Sequence, residues 1–302
     1  MKKLGVGMLF AIVSIAAMGQ QKLKEPNSLL WKISGNGLAR PSYLFGTIHM
    51  ICQEDALLSD SMKEAIRNSD GIYLEVNMSN LFEMVGVLRK MQMRDDTTLA
   101  DLLSKKDYEK VKTYFEEKGS MIPFATLQTY KPLLAASMLM ESGTSCPSPK
   151  AMEEVIMAEA KDSDKKIKGL ESMAFQMSIF DSIPYKLQAE QLVKYVENSE
   201  TGKTDDAREY DKLLDAYREQ DLKKLEALTT SDASISAYSD ILLYNRNRNW
   251  VEKLKILMID KSLVIAVGAG HLPGEKGVIN LLRKAGYTVT PVANKIRKGN
   301  QI

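Results

Sequence analysis

Apolar and polar positions divide the chain into strands near both ends and helices between them. "LLWKISGNGLARPSYLFGTIH" (29–49) holds two apolar segments around Asn36-Gly37, a dipeptide suited to a hairpin turn. "GIYLEV" (71–76) is a compact apolar run that predicts a buried strand, and "KIKGLE" (166–171) predicts another short one. "SLVIAVGAGH" (262–271) is the most continuous strand signal, and "YTVTPV" (287–292) supplies a last one. Between these two, Val278, Ile279, Leu281 and Leu282 recur with helical spacing, and Gly286 marks the helix stop.

The middle of the chain carries the helical period. "LADLLSKKDYEKVKTYFEEKG" (99–119) shows an apolar stripe with a glycine stop. "SPKAMEEVIMAEA" (148–160) predicts a helix with Ser148 as N-cap and Pro149 at the first helical position. Three more helices are predicted over 183–198, 205–220 and 238–258. The mixed-sign run "KDSDKK" (161–166) predicts a solvated turn. The fold class is therefore α/β (α+β), with a central mixed sheet flanked by helices. A single domain over 20–302 is expected, with helical insertions at about 80–140 and 184–258. At 302 residues and 44% hydrophobic, the chain can bury a sizeable core.

The first residues follow a different grammar. Lys2 and Lys3 precede an apolar stretch, Leu4 to Met18, and then the small-x-small site Ala17-Met18-Gly19. This predicts a signal peptide over 1–19, too short for a stable membrane span, and an exported periplasmic or secreted product. Of 41 basic residues, two lie in this leader, which leaves 39 against 39 acidic ones. No net basic field is left to recruit nucleic acid or an anionic membrane. Export also changes the meaning of the two cysteines. Cys52 and Cys146 are expected to form one disulfide, with two free thiols as the alternative. The methionines fit as adaptable core filler.

Candidate chemistry sits at strand ends. The chain has two histidines, His49 and His271, each in a Gly-x-x-His setting just past a predicted strand. Glu75 lies near the end of "GIYLEV", and Glu171 ends "KIKGLE". If the four strands share one sheet and run parallel, the four groups converge where open α/β sheets bind ligands. Each taken alone is more often a structural group; the shared context of the two histidines favours function. Two imidazoles and a carboxylate suit a divalent transition metal with open positions for water or substrate. His49, His271 and Glu75 are the expected metal ligands, although no HExxH or HxH spacing supports them. "GAGHLPG" also invites a dinucleotide site, but Pro273 holds the third glycine position and no acidic residue closes the following strand. In "YNRNRNW" (244–250), the spacing of Arg246 and Trp250 favours an exposed Arg packed over a Trp edge.

These motifs together resemble the TraB/GumN family, which includes TIKI-like proteins. The resemblance rests on "LFGTIHM", "VGAGHLPGEKGVINLLRKAGYTVTPV", Glu75 in "YLEV", "YKPLL" with Leu133 in place of a Trp, "GLESMAFQ", and Arg246, Asn247 and Trp250. It covers about residues 30–292. It implies a fold similar to the erythromycin esterase and ChaN-like group. TIKI members imply a metal-dependent peptidase using Mn²⁺ or Co²⁺, with Zn²⁺ also possible, acting on peptide or protein substrates. TraB-type members imply the silencing of peptide signals. Esterase-like relatives imply a metal-free His/Glu hydrolase, and ChaN-like relatives imply haem binding without turnover. Carried over, Glu75, Glu171 and Arg246 are the expected catalytic groups, with Arg246 contacting substrate or an oxyanion.

Overall fold

The computed structural model describes residues 26–77, 81–117, 122–142, 146, 148–200, 205–230 and 236–296. The predicted leader and the glycine stop at 119 lie outside these residues. Eight strands are described: β1 (Leu30–Ser34), β2 (Ser42–Thr47), β3 (Ile51–Cys52), β4 (Gly71–Leu74), β5 (Pro149–Lys150), β6 (Ile167–Gly169), β7 (Leu263–Gly268) and β8 (Thr288–Pro291). Six form one mixed sheet in the order β6-β4-β7-β2-β1-β8. β6, β4, β7 and β2 are parallel, and β1 and β8 add antiparallel. The fold is α/β.

Both faces of the sheet are covered, which explains the unbroken apolar run of β7. Val264 and Ala266 join Leu30, Phe45, Ile72 and Leu74 on one face, under the helices Asp60–Asn68 and Met152–Asp162. Leu263, Ile265 and Val267 join Trp31, Ile33, Leu44 and Tyr73 on the other, under Asn245–Leu257 and Val278–Lys284. A third cluster lies among helices alone. It joins Leu99, Phe115, Leu127 and Leu139 to Leu192 and Val196 of Tyr185–Glu200. No described helix is long and apolar enough to cross a membrane.

The predicted turn forms at Asn36-Gly37, both residues with positive φ. Several boundaries differ from expectation. The helix foreseen over 99–119 breaks after Leu102 and restarts at Lys105, because the Ser104 hydroxyl accepts the Asp107 amide as a new cap. Pro149 is not helical. It pairs with Cys52 in the β3–β5 ribbon while the Ser148 carbonyl accepts the Gln53 amide, so the helix starts at Met152 after an Ala151 cap. A proline has no amide to donate, and an edge ribbon tolerates that as well as a first helical turn does. The disulfide forms as expected: Cys52 and Cys146 are bonded, with Cα atoms 5.2 Å apart, beside this ribbon. The helix foreseen over 238–258 divides too, with a π turn at Asp240–Tyr244 before Asn245–Leu257.

Candidate active site

The four parallel strands end on one edge of the sheet, and each delivers one of the predicted groups. β2 and β7 are neighbours in register, Gly46 opposite Val267 and Thr47 opposite Gly268, so the two Gly-x-x-His turns begin side by side. Gly46 permits this approach, since a Cβ there would stand 3.1 Å from Ala269 and from the Leu29 side chain. β4 and β6 continue their ladder one step further, the Glu171 amide donating to the Glu75 carbonyl at 2.9 Å. Glu75 and Glu171 are thus neighbours at the same edge.

Arg246 joins them. Its Nη2 donates to Glu75 Oε2 at 2.6 Å, and its Nε donates to Glu171 Oε1 at 2.9 Å. Its Nη1 donates to the Leu242 carbonyl in the π turn and lies 3.2 Å from His271 Nε2. The guanidinium also stacks 4.7 Å over the Trp250 ring. The spacing of Arg246 and Trp250 suggested an exposed arginine; its side chain is instead 9% exposed. Arg246 and Trp250 share a face of Asn245–Leu257 as their spacing indicates, but that face is turned toward Glu75 and Glu171. Glu75 receives further donors, the Gly268 amide at 2.7 Å on Oε1 and Gln176 Nε2 at 3.0 Å on Oε2. A side chain on Gly268 would place its Cβ 3.2 Å from Glu75 Oε1, so glycine keeps room for that carboxylate. Glu171 Oε2 accepts from Trp250 Nε1 at 3.1 Å.

The ring of His271 is fixed by Asn247. Asn247 Nδ2 donates to the Lys276 carbonyl at 2.9 Å, which turns its Oδ1 toward His271 Nδ1 at 2.6 Å. That oxygen can only accept, so Nδ1 carries the proton. Arg246 can only donate, so Nε2 presents its lone pair. Burial pushes the His271 pKa down to about 4, against the pull of Glu75, and keeps the ring neutral. Burial alone would raise Glu75, but His271, Arg246 and the Gly268 amide hold it at about 2. For Glu171, burial and the Glu75 charge prevail over Arg246, and its pKa moves up.

His49 occupies the same edge but touches none of these groups directly. Its Nδ1 lies 3.1 Å from Oε1 of Glu153, a residue the sequence did not single out. The hydrogen bond to Glu153 raises the His49 pKa to about 9, against desolvation, with Glu75 and Arg246 pulling in opposite directions. Its side chain is 75% exposed although protein atoms crowd around it, and solvent moderates that shift.

Donor chemistry decides what the site accepts. The neutral His271 Nε2 and ionised Glu75 suit a divalent transition metal, and His49 offers a second imidazole. Arg246 already contacts the first two. Glu171 is held by Arg246 and Trp250. The ligand atoms of His49, Glu75 and His271 do not lie within 4.8 Å of one another; among the described residues, Cys52, Glu54 and Asp55 do. That cluster is no metal centre, because Cys52 is in the disulfide and Asp55 pairs with Arg218 at 2.8 Å.

The α/β sheet thus gathers Glu75, Glu171 and His271 around Arg246 at the carboxyl ends of its parallel strands, where open α/β folds bind ligands. The chain belongs to the TraB/PrgY/gumN family, which it matches over residues 29–291. Among curated proteins it is similar to a metalloprotease TIKI homolog of Nematostella vectensis, 21% identical over 88% of this chain and 67% of the relative. It is also similar to human metalloprotease TIKI1, 22% identical over 91% of this chain and 64% of the relative. Zebrafish (Danio rerio) metalloprotease TIKI1 is 21% identical over 90% of this chain and 65% of the relative. The chain thus spans about two thirds of the length of these relatives. No solved structure matches it.

Proposed function

We propose that this protein is an exported hydrolase, a peptidase acting on peptide or protein substrates at the edge where the two Gly-x-x-His turns meet. The observation that carries this reading is the convergence of His49, Glu75, Glu171 and His271 at the ends of four parallel strands, with Arg246 between the two carboxylates. His271 turns Nε2 toward Arg246 and Glu75, while His49 rests its Nδ1 on Glu153. His271 Nε2, Glu75 and His49 are the groups that would hold a divalent metal, as the names of the TIKI relatives suggest. Such an ion, Mn²⁺, Co²⁺ or Zn²⁺, would acidify a bound water and polarise the scissile carbonyl.

The chain's own residues divide the remaining work. Glu171, with its raised pKa, takes the proton of the attacking water. Arg246 is aimed by two carboxylates and stabilises negative charge developing on the carbonyl oxygen. The proton that Glu171 takes from the water passes on to the leaving amine. Asn247 keeps His271 in the required tautomer. Export is supported by the Cys52–Cys146 bond and by the leader grammar of residues 1–19, and mass spectrometry of the purified product should find Gln20 at its N-terminus.

One observation favours a second reading, a metal-free His/Glu hydrolase: Arg246 already supplies a cation at Glu75 and His271. The test is cleavage of a quenched peptide library by the purified chain, with a strong chelator and then with Mn²⁺ or Co²⁺ restored. Loss of cleavage with the chelator and its return with the ion support the metal-dependent peptidase. Chelator-resistant cleavage supports the metal-free reading. No cleavage in any condition contradicts both.

A further inference from the structure

Glu153 lies outside every motif that marked the site, yet it is bound to one of them. It occupies the first turn of Met152–Asp162 and is only 6% exposed. One oxygen, Oε1, receives two groups from the first Gly-x-x-His turn. Thr47 Oγ1 donates at 2.6 Å, and His49 Nδ1 lies 3.1 Å away. The second Gly-x-x-His turn treats Glu75 in a parallel way. The Gly268 amide donates to Glu75 Oε1, and His271 Nε2 lies 3.7 Å from the same oxygen. Each turn therefore gathers one buried carboxylate beside its own histidine.

Structure alone gives Glu153 a poor reason to be there. Its other oxygen, Oε2, is buried and has no hydrogen-bond partner among the described residues. A buried carboxylate with one oxygen unsatisfied is a cost to folding. A glutamine at this position would accept the same two contacts without a buried charge. Attachment of the helix start does not need the carboxylate either, because the Met152 amide already donates to the Ile48 carbonyl at 3.1 Å.

We infer that Glu153 is the positioning residue of His49, the counterpart at the first turn of what Asn247 does for His271. It takes the Nδ1 proton of His49 in a hydrogen bond and so fixes the ring with Nε2 facing away, available for a ligand, a proton or a metal. Carboxylate partners of this kind orient imidazoles throughout metal and hydrolytic sites. Thr47 holds the carboxylate in turn, which gives the first motif a role for its second residue as well as its fourth. The inference rests on the reading of this edge as a working site.

The chain has two histidines, so ¹⁵N-histidine labelling gives two imidazole spin systems, assigned with His271→Gln. The wild type should show a slowly exchanging Nδ1 proton for His49. Glu153→Ala should abolish it while leaving the His271 signals and the circular dichroism in place. Glu153→Gln, which keeps an acceptor, should restore it. The second readout is Mn²⁺ affinity by electron paramagnetic resonance. Glu153→Ala should weaken binding by about 10- to 100-fold, and Glu153→Ala with His49→Ala should be no weaker than His49→Ala alone. An unchanged His49 ring in Glu153→Ala overturns the inference, as does a double variant much weaker than His49→Ala. If the wild type binds no Mn²⁺, the metal-dependent reading fails, while the ring spectra still decide the role of Glu153.

Discussion

His271 Nδ1 lies 2.6 Å from Asn247 Oδ1, and this contact sets the chemical form of the ring. The Asn247 amide is itself oriented by the Lys276 carbonyl, so the proton on Nδ1 and the lone pair on Nε2 follow from backbone placement. Asn247→Ala leaves a buried ring nitrogen without its acceptor. The expected cost is about 1–3 kcal/mol of stability and about 10- to 100-fold in metal affinity or turnover. Asn247→Asp puts a charge beside the ring and should raise the His271 pKa, which NMR titration reads directly.

Arg246 is buried between Glu75 and Glu171, and its removal leaves both carboxylates without their counter-ion. Arg246→Gln should destabilise the fold by about 3–5 kcal/mol in urea unfolding. Adding Glu171→Gln should recover part of that loss, because one fewer buried charge then lacks a partner. A strictly additive double variant would show that Arg246 and Glu171 are not energetically coupled.

Stability should fall in acid through two groups. His271 is depressed from 6.5 to about 4, so the unfolded chain takes up its proton first. The stabilisation is complete above pH 6.5 and is lost as pH falls toward 4. Glu75 is depressed from 4.5 to about 2, so its contribution is complete above pH 4.5 and is lost as pH falls toward 2. Each shift corresponds to roughly 3 kcal/mol. His49 runs the other way. Its pKa is raised to about 9, so its pairing with Glu153 helps below pH 6.5 and is lost as pH rises through 9. Urea unfolding free energy measured from pH 3 to 10 should peak near pH 6.5 and decline from there toward pH 9.

The Cys52–Cys146 bond joins the segment just after His49 to the segment just before Glu153 and closes a loop of 94 residues. Cys52→Ser with Cys146→Ser should cost about 4–5 kcal/mol. It should also loosen the His49–Glu153 contact, seen as faster exchange of the His49 Nδ1 proton. Equal melting temperatures with and without reductant would show that the bond contributes little.

The strand ends were legible in the sequence because glycine and the change from apolar to polar mark them, and His49, Glu75, Glu171 and His271 all fall there. Their arrangement followed from four parallel strands sharing one sheet. Glu153 was not legible. In the first turn of an amphipathic helix, an acidic residue looks like an ordinary partner of the helix dipole, and nothing local ties it to His49. The burial of Arg246 was not legible either: its shared face with Trp250 suits an exposed or a buried arginine, and its partners Glu75 and Glu171 are distant in the chain. Pro149 fitted a helix start equally well until its pairing with Cys52 was seen.

If the two Gly-x-x-His turns are halves of one hydrolytic site, each histidine must be needed for turnover. The most direct measurement is cleavage of a quenched peptide library by the purified wild type, His49→Ala and His271→Ala, each checked for native circular dichroism. The account predicts cleavage by the wild type and a loss of about 100-fold or more in each variant separately. Full cleavage by either folded variant would contradict it.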